Sequence, residues 1–320
     1  MKPKTLAILG GSGAGKTALS LELASNYDCA ILSLDSLSIY EEINIASAKP
    51  SLEERKGIPH FGIDVLRPNE SQNVQNFIQE YHRAQTFCQA HNKHLLIVGG
   101  TSFYLKTLLY GLSPSPKLSS SEKLEIDTAI HHLGDSKAQY VYLSKVDSPY
   151  ASRINPQDSY RITRALEIYF STQTAPSVYF ANNPPKPILK SCEIFEIHFA
   201  RELLRARIQE RTQEMLNKGL LNEVQTLIAR YGTQHQWTKS IGIKETLEYL
   251  NHQKARNPSS TKPQSHIFSL ESLKDSISLH TAQLAKRQST FNKTQFPPHF
   301  CGAANEIYSQ ISSQIFCNFC

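Results

Sequence analysis

TLAILGGSGAGKTALSLELASNY, residues 5–27, decides the fold. TLAIL reads as a short buried strand, GGSGAGKT (10–17) matches G-x-x-x-x-G-K-[ST], and TALSLELASNY (17–27) reads as a helix. Glycines in such a loop let backbone N–H groups turn inward around a phosphate, and the following helix N-terminus adds positive dipole. Gly10, Gly11, Ser12, Gly13, Ala14 and Gly15 are therefore the candidate cradle. Lys16 would neutralise terminal phosphate oxygens and Thr17 would hold Mg2+. A glycine-rich turn that binds nothing has no need of that Lys-Thr pair between a strand and a helix.

The flanks continue the pattern. CAILSLDS (29–36) reads as a second strand and HLLIVGGT (94–101) as a further buried one. Strands alternating with helical segments predict an α/β fold: a parallel sheet covered on both faces. GLSPSPKLSSSEK (111–123) then changes the texture, and residues 121–170 carry helical patterns with little strand character. CEIFEIHFA (192–200) returns to strand. The expected organisation is a P-loop core in residues 1–112, an inserted helical domain in 113–190, and core completion in 191–320. Within the last part, 253–272 is polar and proline-bearing and reads as a flexible connection.

The chain has 320 residues and a net charge of +6, a balance compatible with a polyanionic partner such as RNA. No run of residues could span a bilayer and no secretory leader is evident, so a reducing cytoplasm is the expected compartment. Six cysteines are scattered along the chain. Cys317 and Cys320 form a CxxC, half of a zinc site, but no second CxxC or HxxxH lies near it.

A phosphate loop does not name a reaction. The strand HLLIVGGT ends in Gly99, Gly100 and Thr101, with no carboxylate for a nucleoside triphosphatase's metal, and no Asn-Lys-x-Asp reads guanine. The acid sits instead at Asp35, just after the second strand. Strand ends on one side of an open parallel sheet share a crevice, so Asp35, Lys16 and Thr101 should face one another. A lysine and a hydroxyl can stabilise a departing diphosphate, and a carboxylate can take a proton from an attacking amine. The plainer reading makes Asp35 a turn cap and Thr101 a strand-end hydroxyl. Arg161 and Arg164 share a helix face behind the cap residue Asp158; on their own, solvation is the favoured reading for such a pair. Arg201 and Arg207 could pair with Glu202 or Glu210, and Lys286 and Arg287 could merely decorate a helix end.

The ordered set GGSGAGKT, DSLSIY (35–40), SAKP (47–50), PHFGID (59–64), GGTSFYLKTLLYGL (99–112), RINPQDSYRITRALEIY (153–169), the arginine-rich 201–211 segment, GIKE (242–245) and AKRQSTF (285–291) resembles the tRNA dimethylallyltransferases. The resemblance implies a P-loop NTPase-like, nucleotide-kinase-like core with an inserted helical tRNA-binding domain. It implies transfer of a dimethylallyl group from dimethylallyl diphosphate to N6 of the adenosine 3′ of the anticodon; Mg2+ at the phosphate loop is the expected cofactor, and a monomer the expected state. Asp35 becomes the general base, with Thr101, Lys16 and Arg207 as its catalytic companions; Arg201 and Arg207 join the loop in holding the diphosphate. Asp35, Ser36, Leu37, Ser38, Thr101, Lys123, Arg161, Arg164, Lys244 and Arg287 become the tRNA contacts. Ile243 stands where the family has an aromatic residue, which implies a weaker contact to RNA at that point.

Two other readings stay open on the residues alone. A nucleoside or nucleotide kinase would use the same core with ATP. A non-catalytic RNA-binding module would carry the loop as a relic.

Overall fold

The computed structural model describes residues 3–255 and 269–313, and the chain forms two compact units, Tyr110–Ile188 and the remainder on either side. The first half of the larger unit runs β1 (Thr5–Gly10), α1 (Lys16–Asn26), β2 (Cys29–Leu34), β3 (His60–Phe61), α2 (Val74–Ala90), β4 (His94–Gly99) and α3 (Ser102–Tyr110). The smaller unit holds α4 (Ser120–His132), α5 (Ser136–Val146), α6 (Ser148–Ala151), α7 (Ser159–Thr172) and α8 (Pro176–Asn182). The larger unit then resumes with β5 (Glu193–Ile197), α9 (Arg201–Asn217), α10 (Leu220–Tyr231), a 3-10 turn (Gln236–Lys239), α11 (Ile243–Ala255), α12 (Leu270–Gln295), β6 (Phe300–Gly302) and α13 (Ala304–Ile311).

The sheet has strand order β3-β2-β4-β1-β5-β6 and every pairing is parallel. β1 lies near its centre, with Ile8 opposite Val98 of β4 and Phe195 of β5. A central parallel strand is covered on both faces, which explains why TLAILG carries no alternation: Leu6, Ala7, Ile8 and Leu9 are all buried. One face packs Leu6 and Ile8 with Leu19 and Leu23 of α1 and Ile307 and Ile311 of α13. A second core gathers Leu37, Ile39 and Tyr40 after β2 with Leu220, Val224, Trp237 and Leu273. The Trp237 indole donates to the Pro68 carbonyl at 2.7 Å, so its polar edge is not left unpaired in the interior.

The smaller unit is helical and has its own core of Ile130, Leu143, Ile162, Ala165 and Leu166. Its helix starts are written locally. Ser119 and Glu122 form a capping box, Asp135 accepts from Ala138 N, and Asp158 accepts from Arg161 N. Each such cap is worth about 1 kcal/mol. Asp147 is buried and accepts twice, from Tyr150 N at 2.9 Å and from Ser177 N at 2.6 Å, which ties α6 to α8.

Of the 253–272 stretch expected to be a connection, both described ends are helical. α11 continues to Ala255, and α12 begins at Leu270 behind a Ser269 cap that takes Ser272 N at 3.1 Å. Residues 256–268 lie outside the described residues, as do Cys317 and Cys320. Among the described residues, no helix is long and apolar enough to cross a membrane.

Candidate active site

The loop between β1 and α1 is closed by Ala14 N donating to the Gly11 carbonyl at 3.1 Å and Leu19 N to Gly15 at 3.2 Å. Gly13 and Gly15 sit at φ 82° and 79°, in the left-handed region that side chains disfavour, which aims the intervening amides to one side. Lys16 folds back over the loop, its Nζ donating to the carbonyls of Gly10 at 2.9 Å and Gly11 at 2.8 Å. Burial lowers Lys16 to about 8 and the Arg211 guanidinium adds to that, while Asp35 and Glu196 pull the other way. Arg207 reaches the loop from α9: Nε donates to the Gly13 carbonyl at 3.1 Å, and its guanidinium lies over the Phe199 ring, 4.9 Å from the centroid.

Beside the loop lies a cavity of about 570 Å³, lined by residues from the C-terminal ends of β2 and β4 and by α9 and α12. This is within the usual range for a small-molecule site. Asp35 and Thr101 both line it, as the strand-end argument expects. Asp35 Oδ1 accepts from Leu37 N at 2.8 Å and Ser38 N at 3.0 Å, so the turn-capping reading holds for one oxygen. Oδ2 takes no hydrogen bond among the described residues. Thr101 N donates to the Leu34 carbonyl at 3.0 Å, which locks the end of β4 against the end of β2. Ser12, Ser36 and Leu37 line the same cavity, as does Arg287. Ser38 is buried.

Among the residues of this cavity that the sequence reading missed are Arg211 and Gln288. Arg211 lines the cavity one helical turn beyond Arg207; burial pulls it below its ordinary range, and Asp35 is the first charge that holds it up. Gln288 Oε1 accepts from Ser12 N at 3.1 Å, fastening α12 to the loop. The i,i+4 spacing of Arg207 and Arg211 was the available signal for the first. For Gln288 the signal was its place within AKRQSTF.

The other predicted residues divide by location. Thr17 and Arg201 are exposed at the starts of α1 and α9, and Thr17's hydroxyl makes no hydrogen bond among the described residues. Lys244 is exposed on α11, 3.9 Å from Glu248. Lys123, Arg161 and Arg164 all belong to the smaller unit. Arg161 pairs with Asp158 at 2.7 Å, and Arg164 with Glu167 at 2.6 Å and with the Ser115 hydroxyl. Ile243 is wholly buried in the second core with Trp237 and Leu273.

A glycine loop between a central parallel strand and a helix, a lysine folded over it and a carboxylate at the neighbouring strand's end define an α/β protein of the P-loop class. The cavity beside that loop is walled by Ile208, Met215, Ile277 and Phe291 as well as by polar groups, so it suits a ligand with an apolar part. The chain belongs to the IPP transferase family, whose model matches residues 38–295. A tRNA dimethylallyltransferase of Wolinella succinogenes is 49% identical over 294 residues, 92% of each chain, and one of a Sulfurovum species is 46% identical over 305 residues, 95% and 96%. Among solved structures, a tRNA delta(2)-isopentenylpyrophosphate transferase from Staphylococcus epidermidis is 28% identical with a TM-score of 0.65, covering 98% of this chain and 99% of that one. A eukaryotic dimethylallyltransferase acting on tRNA is 26% identical with a TM-score of 0.77, covering 98% and 77%.

Proposed function

We propose that this chain transfers a dimethylallyl group from dimethylallyl diphosphate to N6 of the adenosine 3′ of the anticodon in tRNA, releasing diphosphate. The observation that carries the reading is Asp35: one oxygen is spent on its turn, and the other is unbonded in a partly apolar cavity shared with Thr101 and Arg211. The exocyclic amine of adenine is a poor nucleophile because its lone pair is delocalised into the ring. A carboxylate that accepts its proton as the C–N bond forms supplies the missing driving force. The leaving diphosphate carries the balancing charge. Lys16, the loop amides, Arg207 and Arg201 are cations and donors of the type that stabilises it, with Thr101 contributing a hydroxyl.

The residues present fit a magnesium ion, since Thr17 offers an unengaged hydroxyl at the loop and hard oxygen donors are what that ion takes. Bound there with the diphosphate, it would neutralise charge on the leaving group. The helical unit would grip the anticodon stem-loop through Lys123, Arg161 and Arg164, and the larger unit through Asp35–Ser38, Thr101, Lys244 and Arg287. In this reading the chain works as a cytoplasmic monomer.

The relatives' names favour this over the kinase reading, and the experiment separates them. The chain is incubated either with dimethylallyl diphosphate and unmodified tRNA or with ATP and nucleosides. Nucleoside mass spectrometry showing one five-carbon prenyl unit on adenosine supports the transferase; phosphorylated nucleoside without prenylated tRNA overturns it.

A further inference from the structure

On the far side of β1 from Asp35 lies a second constellation, which bears on the site above only through the charge of Glu196 on Lys16. Glu196 on β5, His299 just before β6 and Cys301 on β6 converge, with one ligand atom from each lying within 4.8 Å of the others. The sheet itself builds this. Glu196 and Cys301 are register partners across β5 and β6, so their side chains leave the same face of the sheet. Glu196 and His299 are both nearly sealed from solvent, at 8% side-chain exposure each, while Cys301 is exposed.

The hydrogen bonds fix the orientation of each group. His299 Nδ1 lies 2.9 Å from the Pro297 carbonyl, an acceptor only, so Nδ1 carries the proton and Nε2 presents its lone pair in the neutral ring. Nε2 stands 3.1 Å from Glu196 Oε2, which is also an acceptor when ionised. One proton or one cation shared between Nε2 and Oε2 serves both groups. Asn292, wholly buried on α12, donates Nδ2 to the other carboxylate oxygen at 2.9 Å and thereby holds Oε2 toward the histidine. An imidazole whose remote nitrogen is tied to a carbonyl, and a carboxylate tied by an amide, is the outer-shell arrangement that orients metal ligands.

That shared partner is either a proton held between the ring and the carboxyl group or a divalent cation. The thiol discriminates between them. The Cys301 thiol donates to the His299 carbonyl at 3.7 Å, which seats the sulfur beside the ring, and imidazole nitrogen, thiolate sulfur and carboxylate oxygen together are a zinc donor set. Tetrahedral zinc with bonds of about 2.0–2.3 Å sets its ligand atoms roughly 3.3–3.8 Å apart, inside the 4.8 Å that bounds this cluster. We propose that Glu196, His299 and Cys301 form a zinc site with one open coordination position, separate from the transfer site. Its role would be mechanical. Asn292 lies one helical turn after Gln288 on α12, so an ion that clamps β5 to β6 through Glu196 also holds the helix whose Gln288 fastens to the phosphate loop.

The test uses the full chain carrying Cys317→Ser and Cys320→Ser, which removes the CxxC as a competing thiolate source. Purified from zinc-supplemented medium, it should carry about one zinc per chain by mass spectrometry of the metal. After chelation, cobalt(II) should give visible bands with a thiolate charge-transfer component. Cys301→Ser, a conservative change at an exposed position, should abolish the thiolate band and weaken zinc by at least about 10-fold, while Cys192→Ser leaves both unchanged. Zinc should raise the melting temperature of the parent more than that of Cys301→Ser. A folded parent without bound zinc, or a cobalt spectrum indifferent to Cys301→Ser, overturns the proposal and leaves an imidazolium–carboxylate pair. None of these readouts depends on prenyl transfer, so failure here is distinct from failure of the functional reading.

Discussion

Replacing Asp35 by Asn isolates the proton transfer from everything else that carboxylate does. Asp35 has two jobs in the structure: Oδ1 holds the amides of Leu37 and Ser38, and Oδ2 is free in the cavity. The amide oxygen of Asn can accept the same two hydrogen bonds. Exchanging a charged acceptor for a neutral one costs about 1 kcal/mol per bond, so a total loss of about 1–2 kcal/mol of stability is expected. That is small against a typical 5–15 kcal/mol, and the variant should stay folded. Chemistry should respond on another scale. A positioned general base is worth about 10²–10⁴-fold, equal to a barrier rise of roughly 2.7–5.5 kcal/mol. Donor affinity should hold or improve, because Lys16 and Arg211 lose the carboxylate that offsets their charge. The assay is single-turnover prenyl transfer at saturating tRNA and dimethylallyl diphosphate, with melting curves beside it. Asp35→Ala should match Asn in the loss of rate and exceed it in the loss of stability, since the turn then loses its acceptor. An Asn variant that reacts within a few-fold of wild type would refute the base assignment and leave Asp35 as a turn cap alone.

Lys16→Met should abolish transfer while raising the melting temperature at pH 7. Burial holds the folded pKa near 8 against 10.5, so the unfolded chain binds more protons between those values; the folding penalty is present below about pH 8 and fades as pH rises toward 10.5. For the same reason, affinity of the free wild-type chain for dimethylallyl diphosphate should fall above about pH 8 with the loss of one proton, and calorimetric titration across pH 7–9.5 in buffers of matched ionic strength checks it. Arg211→Gln should weaken the donor by about 10-fold or more and leave tRNA affinity alone, because removing a cation from a charge-assisted contact costs roughly 1.5–3 kcal/mol; equilibrium binding of each substrate decides. The double change Arg161→Ala, Arg164→Ala should weaken tRNA binding and reduce the slope of log affinity against log salt by up to about 2. An unchanged slope would assign both arginines to their partners Asp158 and Glu167 alone.

What could be read from the sequence was local. β1, β2 and β4 are legible because a strand buried on both faces is an unbroken apolar run, and the loop because its glycines, lysine and threonine sit at fixed offsets. β3 and β6 are not legible: at two and three residues they have no period of their own and exist through pairing, as when Ile31 and Leu32 of β2 pair with His60 and Phe61. Arg211 was hidden for a related reason. α9 buries only Ile208 and Thr212, so its arginines look alike along the chain, and only the tertiary packing makes one of them line the cavity while Arg201 stays at the surface. Gln288 carries no charge to announce it, and its partner Ser12 lies 276 residues away.

The missing carboxylate at the end of β4 has a steric cause that also explains where the acid went. A Cβ on Gly99 would stand 2.6 Å from Leu34 Cβ and 2.7 Å from the Leu34 carbonyl oxygen, so the ends of β2 and β4 approach too closely for any side chain there. A Cβ on Gly100 would meet the Gln288 amide nitrogen at 2.4 Å. The close approach of β2 therefore keeps Gly99 bare, while a side chain at Gly100 would require the Gln288 amide to move. The acid of the crevice stands instead on the residue after Leu34 of the neighbouring strand, Asp35. An acid at the β4 end would stand beside phosphates and suit a metal-held nucleotide. From β2 it faces a cavity with apolar walls, where a proton acceptor for an incoming amine is of more use.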